Sequence, residues 1–203
     1  MRRDRLRAAG CARLAPWLGL IALIGATGCG ATTPLGRAGV SLAPPDGWSR
    51  DASGGHVVPG TPIAAWAGPR GASLVVYTTL PIPRPDAAAL AAELATRSEN
   101  LPGVSILAQG VETRDGLAAA RVEMVGPGTG GAFVPSGIGR PIAPAGASIL
   151  PTRRVVVSFP RRSDTLHLVW HYPDSAHPEI GPGVEATLGS LKIIDPAKSS
   201  YSY

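Results

Sequence analysis

Cysteine is scarce in this sequence: the 203 residues include two, Cys11 and Cys29. Because no cysteine follows Cys29, the body of the chain has no pair of thiols that could form a disulfide. The same absence excludes a cysteine nucleophile there. The domain must therefore be stabilised by a hydrophobic core.

The sequence also lacks an apolar run long enough to span a bilayer permanently. Residues 14–28 supply 15 mainly apolar positions, whereas a spanning helix needs about 20. Five arginines precede this run, at positions 2, 3, 5, 7 and 13. A basic segment followed by a short apolar one is typical of an export signal. We therefore expect residues 1–28 to be a signal peptide.

Charge is sparse once that signal is set aside. Five of the 19 basic residues and one of the 14 acidic residues lie in residues 1–28, so the remainder carries 14 − 13 = +1. Phosphate-backbone binding needs clustered basic residues, and only Arg153-Arg154 and Arg161-Arg162 approach this. We expect these pairs to be solvated ends of a strand, and we predict no nucleic-acid partner.

Motifs of catalysis and of cofactor binding are missing or incomplete. No GxSxG nucleophile elbow is present. Residues 126–131 match the spacing GxGxxG, but a dinucleotide site also needs a following helix and an acidic residue about 20 positions later. The chain continues instead with glycines and prolines, without Asp or Glu from Met124 to Arg162. We predict a protein that is not an enzyme and has no cofactor.

One cluster of residues could bind a metal or transfer protons: His167 and His171, with Asp164, Asp174 and His177 nearby. The alternation of apolar residues over 165–172 predicts a strand rather than a helix. Two residues four positions apart on a strand are about 13 Å apart and cannot share one zinc ion. We therefore expect no metal and exposed strand histidines. The alternative is a small-ligand or hydrolytic domain that uses His167 and His171.

The order of predicted elements indicates an α+β domain with an antiparallel sheet. Strands precede a helix over 87–97 with Asp86 as its N-cap, four strands follow it, and a weak helix over 182–191 precedes a last short strand. Residues 29–38 are expected to be a tether, 39–195 a single domain and 196–203 a C-terminal tail. The Asp115-Gly116 pair predicts a tight hairpin between two of the strands.

A Gly/Pro-rich loop is expected over residues 126–152. Arg140 is its only charge between Glu123 and Arg153, and its apolar residues follow no helical or strand period. Structureless loops longer than about 12–15 residues are uncommon in compact domains and are often functional or disordered. Two hypotheses remain open: a contact segment for a partner, or a mobile spacer.

The segment Ala26-Thr27-Gly28-Cys29 resembles the lipobox of bacterial lipoproteins, with Ala26 where that family usually has Leu, Ile or Val. The resemblance implies cleavage before Cys29 and a lipid on Cys29 that anchors the chain to a membrane of the cell envelope, on the exported side. In a cell with two membranes, Gly30 favours the outer one, because it lacks the aspartate associated with retention in the inner membrane.

A short strand running into Pro45-Asp46-Gly47-Trp48, together with the element order, resembles the PsbP-like and DcrB-like domains. This resemblance implies an α/β/α sandwich over about residues 39–194. It implies no catalytic residues, because that group shares none. The function we expect is a binding or assembly module for an envelope protein partner at the membrane surface.

Overall fold

The computed structural model describes residues 32–51, 60–80, 86–128, 150–161 and 164–193. Within these ranges the chain forms ten strands, two α-helices and three short 3-10 helices. The strands are β1 (Thr33–Leu35), β2 (Val40–Leu42), β3 (Ser49–Arg50), β4 (Thr61–Ala67), β5 (Ser73–Thr79), β6 (Ser105–Arg114), β7 (Leu117–Gly128), β8 (Leu150–Pro160), β9 (Thr165–Pro173) and β10 (Lys192–Ile193). The helices are α1 (Ala87–Glu99) and α2 (His177–Ser190), with 3-10 turns at Gly36–Ala38, Pro69–Gly71 and Asp174–Ala176. Neither α-helix of this part of the chain is long and apolar enough to cross a bilayer.

Seven strands form one antiparallel sheet in the order β3-β4-β5-β9-β8-β7-β6. Successive side chains of a strand point to opposite faces, and β5 uses both: Leu74 and Val76 pack in one buried cluster, Val75 and Tyr77 in the other. Apolar residues at successive positions therefore make β5 a central strand that is covered on both faces.

Helix α1 covers one face of the sheet. Asp86 caps it as predicted, its Oδ1 accepting a hydrogen bond of 2.7 Å from the Ala89 N–H. Leu90 and Ala91 of α1 pack in the same cluster as Val122 of β7. The alanine-rich sequence forms the helix, and its apolar stripe fixes the face that it buries.

Helix α2 covers the other face together with a small antiparallel sheet of β1, β2 and β10. The prediction that this helix begins at Pro182 is wrong, since it begins at His177 and contains Pro182. Buried Ile180 lies four positions before buried Val184, so the apolar stripe starts one turn earlier than expected. The result is the predicted antiparallel α+β sandwich, with helices on both faces.

The core begins within the segment expected to be a tether. β1 pairs with β2, and Leu35 and Ala38 are 3% and 0% exposed. The apolar side chains in this short sequence are too few to show a period, which is why the strand was not predicted. The folded domain therefore already includes β1, inside the segment expected to be a tether.

The β7–β8 connection is shorter than the predicted loop 126–152. Gly126 pairs with Thr152 and Gly128 with Leu150, so both ends of that range belong to strands. A Cβ on Gly128 would lie 1.9 Å from the Thr152 Oγ1, so glycine lets these strands approach. Residues 129–149, where the predicted contact segment falls, lie outside the described residues.

Candidate functional site

His167 and His171 both lie on β9, as predicted, but His167 is not exposed. It is 7% exposed, and its imidazole is hydrogen-bonded through Nδ1 to the Ser158 hydroxyl at 2.8 Å and through Nε2 to the Thr79 hydroxyl at 3.0 Å. The Tyr77 ring stacks on it, with centroids 4.7 Å apart. The expectation of an exposed histidine fails because the sheet is covered on this face too.

Burial controls the chemistry of this histidine. Desolvation lowers the pKa of His167 to about 4, and the charge of Arg154 acts in the same direction. The ring is therefore neutral at physiological pH. Ser158 is 0% exposed, so its hydroxyl has no access to a substrate in this arrangement. The hydrogen bonds link β5, β8 and β9 across the sheet.

The other residues of the predicted cluster are used elsewhere. Asp164 makes a two-point ion pair with Arg161, through contacts of 2.7 Å to each carboxylate oxygen. Asp174 accepts a 2.8 Å hydrogen bond from Arg153. His177 Nδ1 lies 3.0 Å from the Tyr172 hydroxyl. Within the described ranges, no three His, Cys, Asp or Glu residues are grouped as metal ligands.

Arg153 and Arg161 are not at solvated ends of a strand, contrary to the prediction. The Arg161 side chain is fully buried and also donates to the Ala38 carbonyl, while Arg153 lies within β8 and pairs with Glu123 at 2.6 Å. The prediction was wrong because a periodic pattern does not show which acidic partners the tertiary fold brings near. Arg162 lies outside the described residues.

An ion-pair network covers the α2-side face of the sheet where β6 and β7 lie. Arg121 contacts Glu185 of α2 at 2.7 Å, and Arg114 contacts the same carboxylate at 3.2 Å. The hydrogen bond from Arg121 lowers the pKa of Glu185 despite partial burial. Glu112, Glu123 and Arg153 extend the network along the sheet. These contacts hold α2 against strands that its apolar stripe does not cover.

An open groove runs beside α2 and has a volume of about 700 Å³. One wall is α2 from Glu179 to Ser190, which gives a length of roughly 16 Å at 1.5 Å per residue. The opposite wall is the turn after β2. The lining residues are Thr32, Ala43, Pro44, Pro45, Asp46, Trp48, Pro69, Glu179, Ile180, Pro182, Gly183, Ala186, Thr187, Ser190 and Lys192.

The turn that forms this wall is the predicted Pro45-Asp46-Gly47-Trp48. Gly47 has a φ of +77°, and the Trp48 N–H donates to the Pro45 carbonyl at 3.1 Å. A Cβ on Gly68 would lie 2.3 Å from the Trp48 ring, so the indole lies directly against that glycine backbone. Trp48 remains half-buried, between core and groove.

The two ends of the groove differ in chemistry. At one end, the Ser190 hydroxyl accepts a 2.8 Å hydrogen bond from the Ala43 N–H, and Lys192 lies nearby on β10. At the other end, Glu179 pairs with Arg70 at 3.1 Å. Between them, Thr187 is 1% exposed and its Oγ1 has no hydrogen-bond partner in the described part of the chain.

Strand β6 forms one edge of the large sheet. Among the described residues it pairs with β7 alone, over ten residues with a bulge between Ile106 and Ala108. Leu107 and Val111 are 47% and 50% exposed. An edge strand presents unpaired backbone N–H and C=O groups to a possible partner strand. Sequence reasoning missed this site because strand order cannot be read from a single pattern.

The groove was missed for a related reason. Its walls come from Thr32, the 43–48 turn, Pro69 and α2, which are far apart in sequence. The one signal in the sequence was Trp48 directly after the Pro45-Asp46-Gly47 turn. The sequence pattern did not decide whether Trp48 belongs to the core or to the surface. Cys29, the predicted lipidation site, lies outside the described residues.

Comparisons with known proteins identify the fold. The structure is similar to cyanobacterial PsbP (CyanoP) from Synechocystis sp. PCC 6803, with a TM-score of 0.54 and 12% identity over 86% of this chain and 99% of that one. Two similar structures with lower TM-scores are the Saccharomyces cerevisiae Ran-binding protein Mog1p (0.49, 12% identity, 81% and 95% covered) and Mycobacterium tuberculosis LpqN, involved in cell envelope biogenesis (0.47, 15%, 75% and 82%). No family model and no curated protein matches the sequence. The domain is therefore PsbP-like in fold.

Proposed function

We propose that this protein is a non-enzymatic, lipid-anchored module of the cell envelope that binds a partner protein by adding a partner strand to β6. The observation that carries the proposal is the long edge strand with exposed Leu107 and Val111. The lipobox-like Ala26–Cys29 segment supports the location. Burial of Ser158 and His167 favours this hypothesis over the hydrolytic alternative.

The edge formed by β6 is suited to strand addition. Protein edges are commonly protected by being very short, by carrying lysine or proline, or by a bulge. The opposite edge strand, β3, is two residues long, whereas β6 has ten residues and neither lysine nor proline. Its bulge at Leu107 leaves Ala108 to Arg114 as a regular segment. Backbone hydrogen bonds to such a segment give affinity, and side-chain contacts such as those of Val111 give specificity.

The proposal is tested by crosslinking in cells that produce the full chain. A photo-reactive benzoyl-phenylalanine replaces Val111, and the same residue replaces Leu80 as a control, since Leu80 is 72% exposed but lies outside β6. We expect a discrete adduct from position 111 and none from position 80. We also expect an adduct from a probe at Leu107. Val111→Lys should abolish this second adduct, whereas Leu80→Lys should keep it.

Two results would contradict partner binding at β6. One is the same adduct from positions 111 and 80, because this would indicate unspecific contact. The other is no adduct from any β6 position in cells whose protein is folded and exported.

A further inference from the structure

The groove beside α2 has the size and composition of a site for a small amphiphile. Small-molecule sites typically have volumes of about 300–1,000 Å³, mostly apolar walls and a few polar groups, and this groove measures about 700 Å³. Trp48, Ile180, Pro182 and Ala186 supply apolar surface along its length. A ligand with a long apolar part and a small polar end fits this arrangement.

The Thr187 hydroxyl is a second observation that points to a ligand. It belongs to a groove-lining residue, is buried, and has no hydrogen-bond partner among the described residues. Buried polar groups in proteins are nearly always hydrogen-bonded, because an unpaired one loses its contacts with water. Because Thr187 is 1% exposed, its side chain would rotate toward the groove to donate a hydrogen bond to an ester or phosphate oxygen of a bound ligand.

The position of Thr32 suggests where the ligand comes from. Thr32 lines the groove and lies three positions after Cys29, and three residues span at most about 11 Å. A lipid on Cys29 would therefore hold this end of the groove close to the bilayer surface. Lys192 lies at the same end, 66% exposed, with its Nζ 3.5 Å from the Asp115 carboxylate. A pair this long and exposed leaves the ammonium able to attract an anionic headgroup as well.

We propose that this groove binds an acyl chain of an anionic phospholipid drawn from the membrane, with the headgroup near Lys192 and the chain along α2 toward Trp48. The choice of the membrane as the source rests on the proposed lipid anchor. The binding site itself is built entirely from described residues.

Quenching of tryptophan fluorescence tests the site on the full mature chain. The probe is a lysophosphatidylglycerol with bromine atoms near the methyl end of its acyl chain, added below its micelle concentration. Bromine quenches over short distances, and Trp66 and Trp170 are buried in the core. We expect saturable quenching that Trp48→Phe largely removes.

A matched pair of variants separates binding in the groove from binding elsewhere. Ala186 is an exposed helix residue of the groove wall, and Ala92 is an exposed residue of α1 outside it. Ala186→Phe should weaken binding at least tenfold by filling the groove, whereas Ala92→Phe should leave it unchanged, with thermal unfolding confirming that both are folded. Lys192→Gln should reduce the preference of the protein for lysophosphatidylglycerol over lysophosphatidylcholine.

Quenching that does not saturate, or that Ala186→Phe and Ala92→Phe change equally, would overturn the groove assignment. Incorporation of a palmitate analogue measures the lipid anchor independently of the groove. Incorporation without saturable quenching overturns the groove assignment alone. Quenching without incorporation overturns the anchor and, with it, the bilayer as the source of the lipid.

Discussion

His167 shows how its surroundings decide what a single residue can do. Its sequence position, four residues before another histidine, is compatible with catalysis, metal binding or structure. In the fold, Ser158 and Thr79 occupy both ring nitrogens and Tyr77 covers one ring face. Burial removes the proton that an exposed imidazole would hold at mildly acidic pH.

This burial predicts a pH-dependent stability. The pKa of His167 is about 4 in the folded protein, against 6.5 ordinarily, so between these values the unfolded chain binds a proton that the folded chain does not. The free energy of unfolding should therefore fall as the pH drops from about 6.5 to about 4, by up to about 3 kcal/mol. Urea unfolding of the wild-type protein across this pH range measures the decrease.

His167→Gln should flatten that dependence, while His177→Gln should keep it because His167 is still present. An equal slope in wild type and His167→Gln between pH 4.5 and 6.5 would show that another group is responsible.

The Arg161–Asp164 pair gives a second prediction at this scale. Both side chains are essentially inaccessible, at 0% and 2% exposure. Asp164→Asn leaves a buried guanidinium without its counter-charge, and removal of one partner of a buried pair costs about 3–5 kcal/mol. Chemical denaturation should show this loss.

The control for Asp164→Asn is Glu93→Gln. It breaks the exposed pair of Glu93 and Arg97 on α1, for which we expect a loss below about 1 kcal/mol. Similar losses for the two variants would mean that the Arg161 side chain can reach solvent when its partner is removed.

At the scale of elements, the ends of β7 and β8 determine how the Gly/Pro-rich loop can be changed. Gly128 and Leu150 are directly paired, so residues 129–149 connect two neighbouring positions in space. The residue pairs from Gly126–Thr152 to Gly128–Leu150 belong to the sheet. A loop replacement should therefore begin after Gly128 and end before Leu150, inside the predicted range 126–152.

Replacing residues 129–149 with a short Asn-Gly-containing turn should keep unfolding cooperative. Loop closure becomes less unfavourable by about 0.6 kcal/mol for each halving of length, so we expect a gain of about 1–2 kcal/mol. Replacing Pro127 to Pro151 instead removes strand pairs and should lower the stability. Calorimetry compares the two variants, and a loss of cooperativity in the shorter replacement would show that residues 129–149 belong to the core.

The same variant separates two possible partner sites. If β6 carries the interaction, the crosslink from position 111 should persist after residues 129–149 are replaced. Its disappearance in a folded variant would assign the interaction to the loop.

At the scale of the whole molecule, the large sheet is covered on both faces, and its edge strand β6 and the groove lie in different places. β6 forms one edge of the sheet, whereas the groove lies over the opposite half, beside α2 and the 43–48 turn. With the proposed lipid on Cys29, the Thr32 end would face the membrane, and β6 would lie away from it, where the proposed partner could bind.

Membrane attachment itself is predicted to depend on Cys29. Cys29→Ser should abolish incorporation of a palmitate analogue and leave the signal peptide uncleaved, because the lipidated cysteine is the proposed cleavage position. Gel mobility and fluorescence of the clicked label measure both effects, with Cys11→Ser as the control that keeps the label. A wild-type band without label would refute the anchor.

Local sequence was sufficient for features that depend on neighbouring residues. Asp86 caps α1 because its side chain reaches an N–H three residues on, and Asp115-Gly116 forms a tight turn because both residues adopt positive φ. The run of successive apolar residues in β5 likewise indicates a strand buried on both faces. Each of these signals is complete within a few residues.

Only the tertiary structure decided the placement of features that depend on distant residues. The burial of His167 requires Thr79 and Ser158, the burial of Arg161 requires the Ala38 carbonyl, and the start of α2 depends on the core that Ile180 enters. The groove and the position of β6 at the edge of the described sheet exist only once strand order is set. Apolar periodicity therefore determined the α+β class from the sequence alone, whereas long-range packing determined which polar groups are buried and which surfaces remain open.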